Sequence, residues 1–248
     1  MPARLNLFTN RQRANSFGSA AHNYDAFRPR YPDQLIDDVL ASEAHRVLEV
    51  GAGTGIASMQ LIERGADLLA VEPDARMAAV AQAKGIPVEI ATFEEWEPAG
   101  RQFDRVVFAA SFHWVDPAAA LPKISEILND GGRLALIWNR LRPTNPTRAE
   151  FESIYRDYMD VETHRGDGNP DEVVELIADA GFTVTQRRYP HDVHYTAQQW
   201  VDIAFTFSNQ LILAEDKAAQ LRARLLERIG SAGVSVGGDA VAILATPV

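Results

Sequence analysis

The chain contains no cysteine. That excludes disulfide staples, thiolate nucleophiles and Cys-ligated metal centres. It also lacks a long apolar run. The longest stretch free of Asp, Glu, Lys and Arg is Val50 to Ile62, thirteen residues with three glycines, too short and too flexible to span a bilayer. Met1 to Arg13 has no continuous apolar block, so no secretory leader is expected. Positive charge is scarce: 24 Lys and Arg stand against 34 Asp and Glu, a formal net charge of -10. Such a balance argues against a chain built to coat nucleic acid, although a local basic patch stays open. Of the six histidines only His191 and His194 lie close together, three apart in a stretch that reads as extended, so no metal site is expected. The expectation is a cytoplasmic protein, monomer or homodimer, with no nucleic-acid or membrane partner.

What is present is an ordinary globular composition, 46% hydrophobic and 23% charged over 248 residues. The first thirty residues are locally basic and read as a mobile arm or lid, or simply as a solvated end. From His45 a regular alternation begins. HRVLEV (45–50), DLLAV (67–71), residues 86–90, FDRVVFA (103–109) and RLALIW (133–138) read as strands, with helices of roughly ten residues between them. Alternation of this kind implies βαβ crossovers and a parallel, doubly wound α/β sheet buried on both faces. Beyond Asn139 the rhythm loosens. Residues 144–160, 170–180 and 197–230 read as helical, FTVTQRRY (182–189) as a strand, and AVAILAT (240–246) as the last strand. The expected organisation is a core at 1–143 with an N-terminal lid, a helical cap with substrate-side insertions at 144–235 that includes strand 182–189, and a final core strand within 236–248.

The strongest local signal is the turn after the first strand, Gly51-Ala52-Gly53-Thr54-Gly55. Glycines there let the backbone bend tightly and let a ligand lie against it. A dinucleotide fingerprint would place its third glycine one residue later, where this chain has Ile56. Glu49 lies within the strand just before the turn. A diphosphate would be repelled by that acid and an ammonium group attracted, which favours a cationic ligand. Glu72, at the end of the second strand, is placed to accept two hydrogen bonds from a ribose diol. Adenosyl and dinucleotide ligands both require this, so Glu72 does not choose between them, and it also reads as a plain surface acid.

VLEVGAGTG, AVEPDARM, IATFEEW, VVFAASFHWVDP and LNDGGRLALIW, in that order, resemble the motifs of class I S-adenosylmethionine-dependent methyltransferases. The similarity is closest to the branch acting on small molecules, including trans-aconitate and ubiquinone-type methyltransferases. It covers about residues 22–140. The resemblance implies a Rossmann-like seven-stranded sheet with an antiparallel last strand, S-adenosyl-L-methionine as cofactor and S-adenosyl-L-homocysteine as product. By position it implies that Gly51, Gly53 and Gly55 shape the turn around the methionine part and that Glu49 helps hold the ammonium end. Glu72 would take the ribose, Pro73 and Met77 would pack near the adenine, and Thr92 and Phe93 would meet the adenine edge. Many members carry Asp where this chain has Thr92, a weaker acceptor. The Ala110 carbonyl would face the cofactor's amino group. Tyr24 to Pro32 is similar to the Y-x-x-x-R-P-x-Y-P segment of this branch. There Arg28 would pair with the cofactor's carboxylate and Tyr24 would shield the sulfonium, the other reading being a structural Arg and a packed Tyr.

Phe112-His113-Trp114 follows the fourth strand. His113 reads either as a general base or substrate donor, or as a residue that closes the strand. Arg140 and Arg142, after the fifth strand, are candidates for an anionic substrate or plain surface charges. Three functions follow: a small-molecule methyltransferase, a nicotinamide-dependent oxidoreductase, or a cofactor-binding protein without turnover.

Overall fold

The computed structural model describes residues 21–41, 45–160, 170–190 and 192–248. Two short helices come first, α1 (Ala21–Phe27) and α2 (Asp33–Leu40). There follow β1 (Arg46–Val50), α3 (Ile56–Ile62), β2 (Asp67–Val71), α4 (Ala75–Ala83), β3 (Val88–Glu89) and β4 (Phe103–Ala109). After a 3-10 turn at Phe112–Trp114 come α5 (Pro117–Ile127), β5 (Leu128–Asn145), α6 (Arg148–Tyr155), α7 (Pro170–Asp179) and β6 (Phe182–Pro190). The chain closes with β7 (Val193–Tyr195), α8 (Ala197–Ala204), α9 (Ser208–Leu211), α10 (Glu215–Ile229) and β8 (Val234–Pro247). The expected lid residues 1–20 and His191 lie outside the described residues.

The sheet runs β3-β2-β1-β4-β5-β8-β6, with β7 added on β8. β1 to β5 pair in parallel, and β8 runs antiparallel to β5 and β6. Parallel strands end at one edge, so the turns after β1, β2, β3 and β4 meet in one crevice.

Local chemistry explains most boundaries. The Asp74 carboxylate accepts from the Arg76 N–H at 2.8 Å and starts α4. Asp116 does the same for α5, with Pro117 in its first turn. Thr147 with Glu150, and Thr196 with Gln199, form capping boxes at α6 and α8. The helix expected over 144–160 is shorter because β5 stays paired with β8 out to Asn145. That ribbon also carries β8 back to Val234, well before the residue 240 expected from the apolar pattern. Charged and glycine residues along both arms hide the pairing from a search for apolar strands.

Helices cover both sheet faces, as the continuous apolar strands require. One core packs Leu48, Phe108 and Leu136 under Ile124 of α5 and Ile177 of α7. The other packs Val47, Ala135 and Ala242 under Leu35 and Ile36 of α2 and Leu61 of α3. A third cluster, Phe151, Trp200, Leu221 and Leu225 with Val234 and Val236, holds α6, α8 and α10 on the distal end of the ribbon. Arg105 is buried in β4, where its Nε donates to the Val39 carbonyl (2.8 Å) and Nη2 to the Leu40 carbonyl (3.0 Å), pinning the end of α2.

Phe108 is fully buried and meets Phe93 and Phe112 edge-on, at centroid distances of 5.8 and 5.2 Å. Phe108→Ala is expected to destabilise the fold by about 3–5 kcal/mol, read as a lower midpoint in urea unfolding with an unchanged slope.

Candidate active site

The glycine turn is shaped by contacts as much as by flexibility. Gly51 and Gly55 both have left-handed backbone, φ +68° and +81°. A Cβ at Gly51 would sit 2.6 Å from Ser111 Cβ, and one at Gly55 would sit 2.3 Å from Ile86 Cδ1. Side chains of neighbouring elements therefore occupy that space. Four of the turn's five N–H groups are used within the protein. Those of Gly51 and Ala52 donate to the Val71 carbonyl (2.7 and 3.3 Å), and that of Gly55 to the Ala52 carbonyl (2.9 Å). The Gly53 N–H donates to Glu72 Oε2 at 2.8 Å. So occupied, these donors do not form the ready cradle that a diphosphate needs.

What the crevice offers instead is carboxylate oxygen. Glu49 is fully buried, accepts from the Ser58 hydroxyl on α3 through Oε2, and leaves Oε1 buried without a partner. Burial pushes its carboxyl up to about 8; the Ser58 hydrogen bond opposes this and the charge of Glu72 adds to it. Glu72 is also buried, and its Oε1 accepts from the Asp74 N–H at 2.9 Å. Burial raises it to about 6 against the pull of its two backbone donors. An unpartnered buried oxygen beside a second acid fits a cationic group that carries hydroxyls, the chemistry of an adenosyl sulfonium amino acid.

Around this pair the expected contacts divide. Met77 is buried, with its Cε 3.3 Å from where a Gly53 Cβ would stand, and Pro73 is exposed beside Glu72. Thr92 spends its hydroxyl on Glu95, bonding Oε2 at 3.0 Å and accepting the N–H at 3.3 Å. The Phe93 side chain turns into the core against Trp96 and Phe108 and so is not at the crevice surface. Ala110 has left-handed backbone, φ +58°, with its N–H on the Ile137 carbonyl at 2.8 Å. His113 is half-buried on the turn after β4, its ring 4.8 Å from that of Trp114.

The Tyr24–Pro32 segment folds over the same region. The Tyr31 hydroxyl is held above its ordinary range by burial and by nearby Tyr24 and Glu49. Gln60 clamps the Tyr31 backbone from α3, accepting its N–H at 2.9 Å and donating to its carbonyl at 2.8 Å. Arg28 reaches across to the helical region. Its Nε donates to Thr206 Oγ1 at 2.8 Å, and its guanidinium lies over the Tyr24 and Phe207 rings at 4.8 and 4.1 Å.

Three participants carry no readable signal in the sequence. Lys84, at the end of α4, pairs with Asp25 of α1 and donates to the Thr54 carbonyl in the glycine turn at 2.9 Å. Asn139 Nδ2 donates to the carbonyls of Pro29 (3.3 Å) and Arg30 (3.1 Å). Ile90 is a large apolar residue left 53% exposed just past β3, beside Glu72 and Thr92. Each depends on long-range folding, although an isoleucine following a strand end is a cue that composition alone does not rank. No cluster of His, Cys, Asp or Glu among the described residues could hold a metal ion, and no helix among them is long and apolar enough to cross a membrane.

Comparison with known proteins bears on the family and the fold. A family profile described as a methyltransferase domain matches residues 47–132. An uncharacterized methyltransferase of Mycobacterium tuberculosis is 36% identical over 218 residues, covering 86% of this chain and 84% of the relative. A protein from Anaeromyxobacter dehalogenans described as a type II methyltransferase shares the fold at a TM-score of 0.62 and 19% identity, covering 89% of this chain and 98% of that one. The plantazolicin methyltransferase, solved with S-adenosylhomocysteine, shares it at a TM-score of 0.57 and 11% identity, covering 98% and 96%.

Glu49 and Glu72 titrate above the ordinary carboxyl value of 4.5, so the folded chain holds protons that the unfolded chain releases. Their contribution to stability is complete below pH 4.5 and is lost as pH rises through about 6 for Glu72 and about 8 for Glu49. The thermal midpoint of the ligand-free protein is expected to fall across that window. Glu49→Gln, which fixes the neutral form, should remove the upper part of the slope; an unaltered slope would assign it to other groups.

Proposed function

This chain belongs to the class I S-adenosylmethionine-dependent methyltransferases, and from that membership we propose that it methylates a small-molecule acceptor in the cytoplasm, using the crevice around Gly51–Gly55. S-adenosylmethionine is the donor; bound there, it supplies a methyl group on a sulfonium whose departing sulfide is neutral. The observation that carries the assignment of the crevice is the buried acid pair beside a turn in which four of five N–H groups are already engaged. Phosphates seek free donors, whereas an ammonium and a ribose diol seek acceptors.

In this reading Glu49 supplies negative charge beneath the turn for the donor's amino group, and the Ala110 carbonyl accepts from that group directly. Each oxygen of Glu72 accepts one backbone N–H and keeps a lone pair for a ribose hydroxyl. Pro73, Met77 and Ile90 offer apolar surface to the adenine, and the Thr92–Phe93 backbone its polar edge. Tyr24 covers the reacting centre. Arg28 would reach the donor's carboxylate by exchanging Thr206 for it.

Because the leaving group is neutral, the protein need not protonate it. Its task is to align the acceptor nucleophile with the methyl group and exclude water, effects worth up to ~7–11 kcal/mol of barrier in favourable cases. The lid over Glu49 and the cap at 144–235 serve the second purpose. A carboxylate acceptor requires no base. A phenol, amine or carbon acid gives up a proton, and His113 is positioned after β4 to take it.

Calorimetry with S-adenosylhomocysteine should show one site, tightening as pH rises from 5.5 to 8 and the acids ionise, while NADH gives no heat. Glu72→Ala should weaken that binding at least tenfold; unchanged affinity would discard the ribose assignment. With isotopically labelled donor and a metabolite panel, mass spectrometry should detect a methylated product. Product binding without turnover on any compound would favour a silent binding protein. His113→Ala with full turnover would remove the residue as a base.

A further inference from the structure

Arg140 lies on the β5–β8 ribbon three residues beyond Ile137, whose carbonyl accepts the Ala110 N–H. It therefore projects from the same sheet edge as the turn carrying His113. Side chains alternate along a strand. Leu136 and Trp138 pack with Phe108 and Phe112, so Arg140 shares the face of the Phe112–Trp114 turn. Asn139 faces the opposite side and holds the backbone of the lid.

Arg140 is a half-buried cation with no anion among the described residues. Asp239 stands directly across the ribbon, but its carboxylate accepts from Arg188 Nη1 at 2.9 Å. The Nε of Arg140 is buried and has no hydrogen-bond partner. A guanidinium desolvated in this way is completed by a ligand. The edge formed by Nε and one Nη is the two-pronged face that matches a carboxylate. β1, β4 and β5 are adjacent strands and Arg140 stands three residues beyond Ile137, which is level with Gly51, so the two backbones lie roughly 14 Å apart across the crevice. A metabolite-sized molecule spans that distance. With the whole chain at -10, attraction of an acid must be local, which suits a single screened guanidinium better than a broad field.

We propose that Arg140 is the anchor of the acceptor site and that the acceptor is a small carboxylic acid. Its carboxylate pairs with Nε and Nη of Arg140, and a nucleophile elsewhere in the same molecule is thereby directed toward the glycine turn. The inference rests on the methyltransferase reading of the crevice. Arg140 is a specificity residue that touches substrate, and His113, on the same face, is the neighbouring group.

The test is titration of the full chain, with and without saturating S-adenosylhomocysteine, followed by tryptophan fluorescence and calorimetry. Succinate and citrate are the probes, and succinamide and inorganic phosphate the controls. A carboxylate should bind saturably, at least tenfold tighter than succinamide. Arg140→Gln should weaken it tenfold or more, and Arg140→Lys should recover only part of the loss. Both variants should bind S-adenosylhomocysteine within twofold of the parent, which separates lost recognition from lost fold. Equal binding of succinamide, a response to phosphate alone, or full carboxylate affinity in Arg140→Gln would overturn the proposal. Absence of S-adenosylhomocysteine binding would count against the donor crevice instead, and the titrations without it would still judge Arg140.

Discussion

One hydrogen bond ties the crevice together, from the Gly53 N–H to the buried carboxylate of Glu72. It joins the turn after β1 to the end of β2 at the point where parallel strands release their backbone groups to the edge of the sheet. Glu72 also accepts from Asp74, whose own carboxylate starts α4. The same acid thus sets the path of the glycine turn, fixes the entry to the next helix and presents its remaining lone pairs to the crevice. Each of these roles follows from placing a charged acceptor where buried N–H groups would otherwise lack partners.

The acid beneath the turn has a different character. Glu49 is buried within β1, with one oxygen satisfied by Ser58 and the other by nothing among the described residues. Burial and the nearby charge of Glu72 both favour its neutral form. A cation beside such a carboxylate would favour its ionised form and offset this tension. The cost is tolerated because β1 lies inside the sheet between β2 and β4, with both faces packed.

Closure over the crevice is shared among distant parts of the chain. Lys84 links α1 to the glycine turn, Gln60 clamps Tyr31 and Asn139 holds Pro29 and Arg30. Arg28 ties the same segment to Thr206 in the helical region. The lid therefore senses the β1, α4 and β5 ends of the core together with the cap.

The order of strands through Trp138 was legible from residue pattern, because buried parallel strands are apolar throughout, and so were three helices, two of which begin at Asp, although no helix joins β3 to β4. The glycine turn and the two strand-end acids were legible for a similar reason: a tight left-handed path and a carboxylate at a strand terminus are local requirements written in adjacent residues. The ribbon from Arg140 to Asn145 was not, since its pairing partner is some ninety residues away and most of its side chains are polar or charged. Nor was the fate of individual side chains. Phe93 turned into the core, Thr92 capped its own turn and Arg28 found Thr206, while Lys84 bonded the glycine turn, Asn139 held the backbone of Pro29 and Arg30, and Ile90 stayed exposed past β3. Local chemistry dictates which backbone shapes a segment can take. Which side chains then meet depends on how segments far apart in the chain stack, and that is a property of the whole packed sheet.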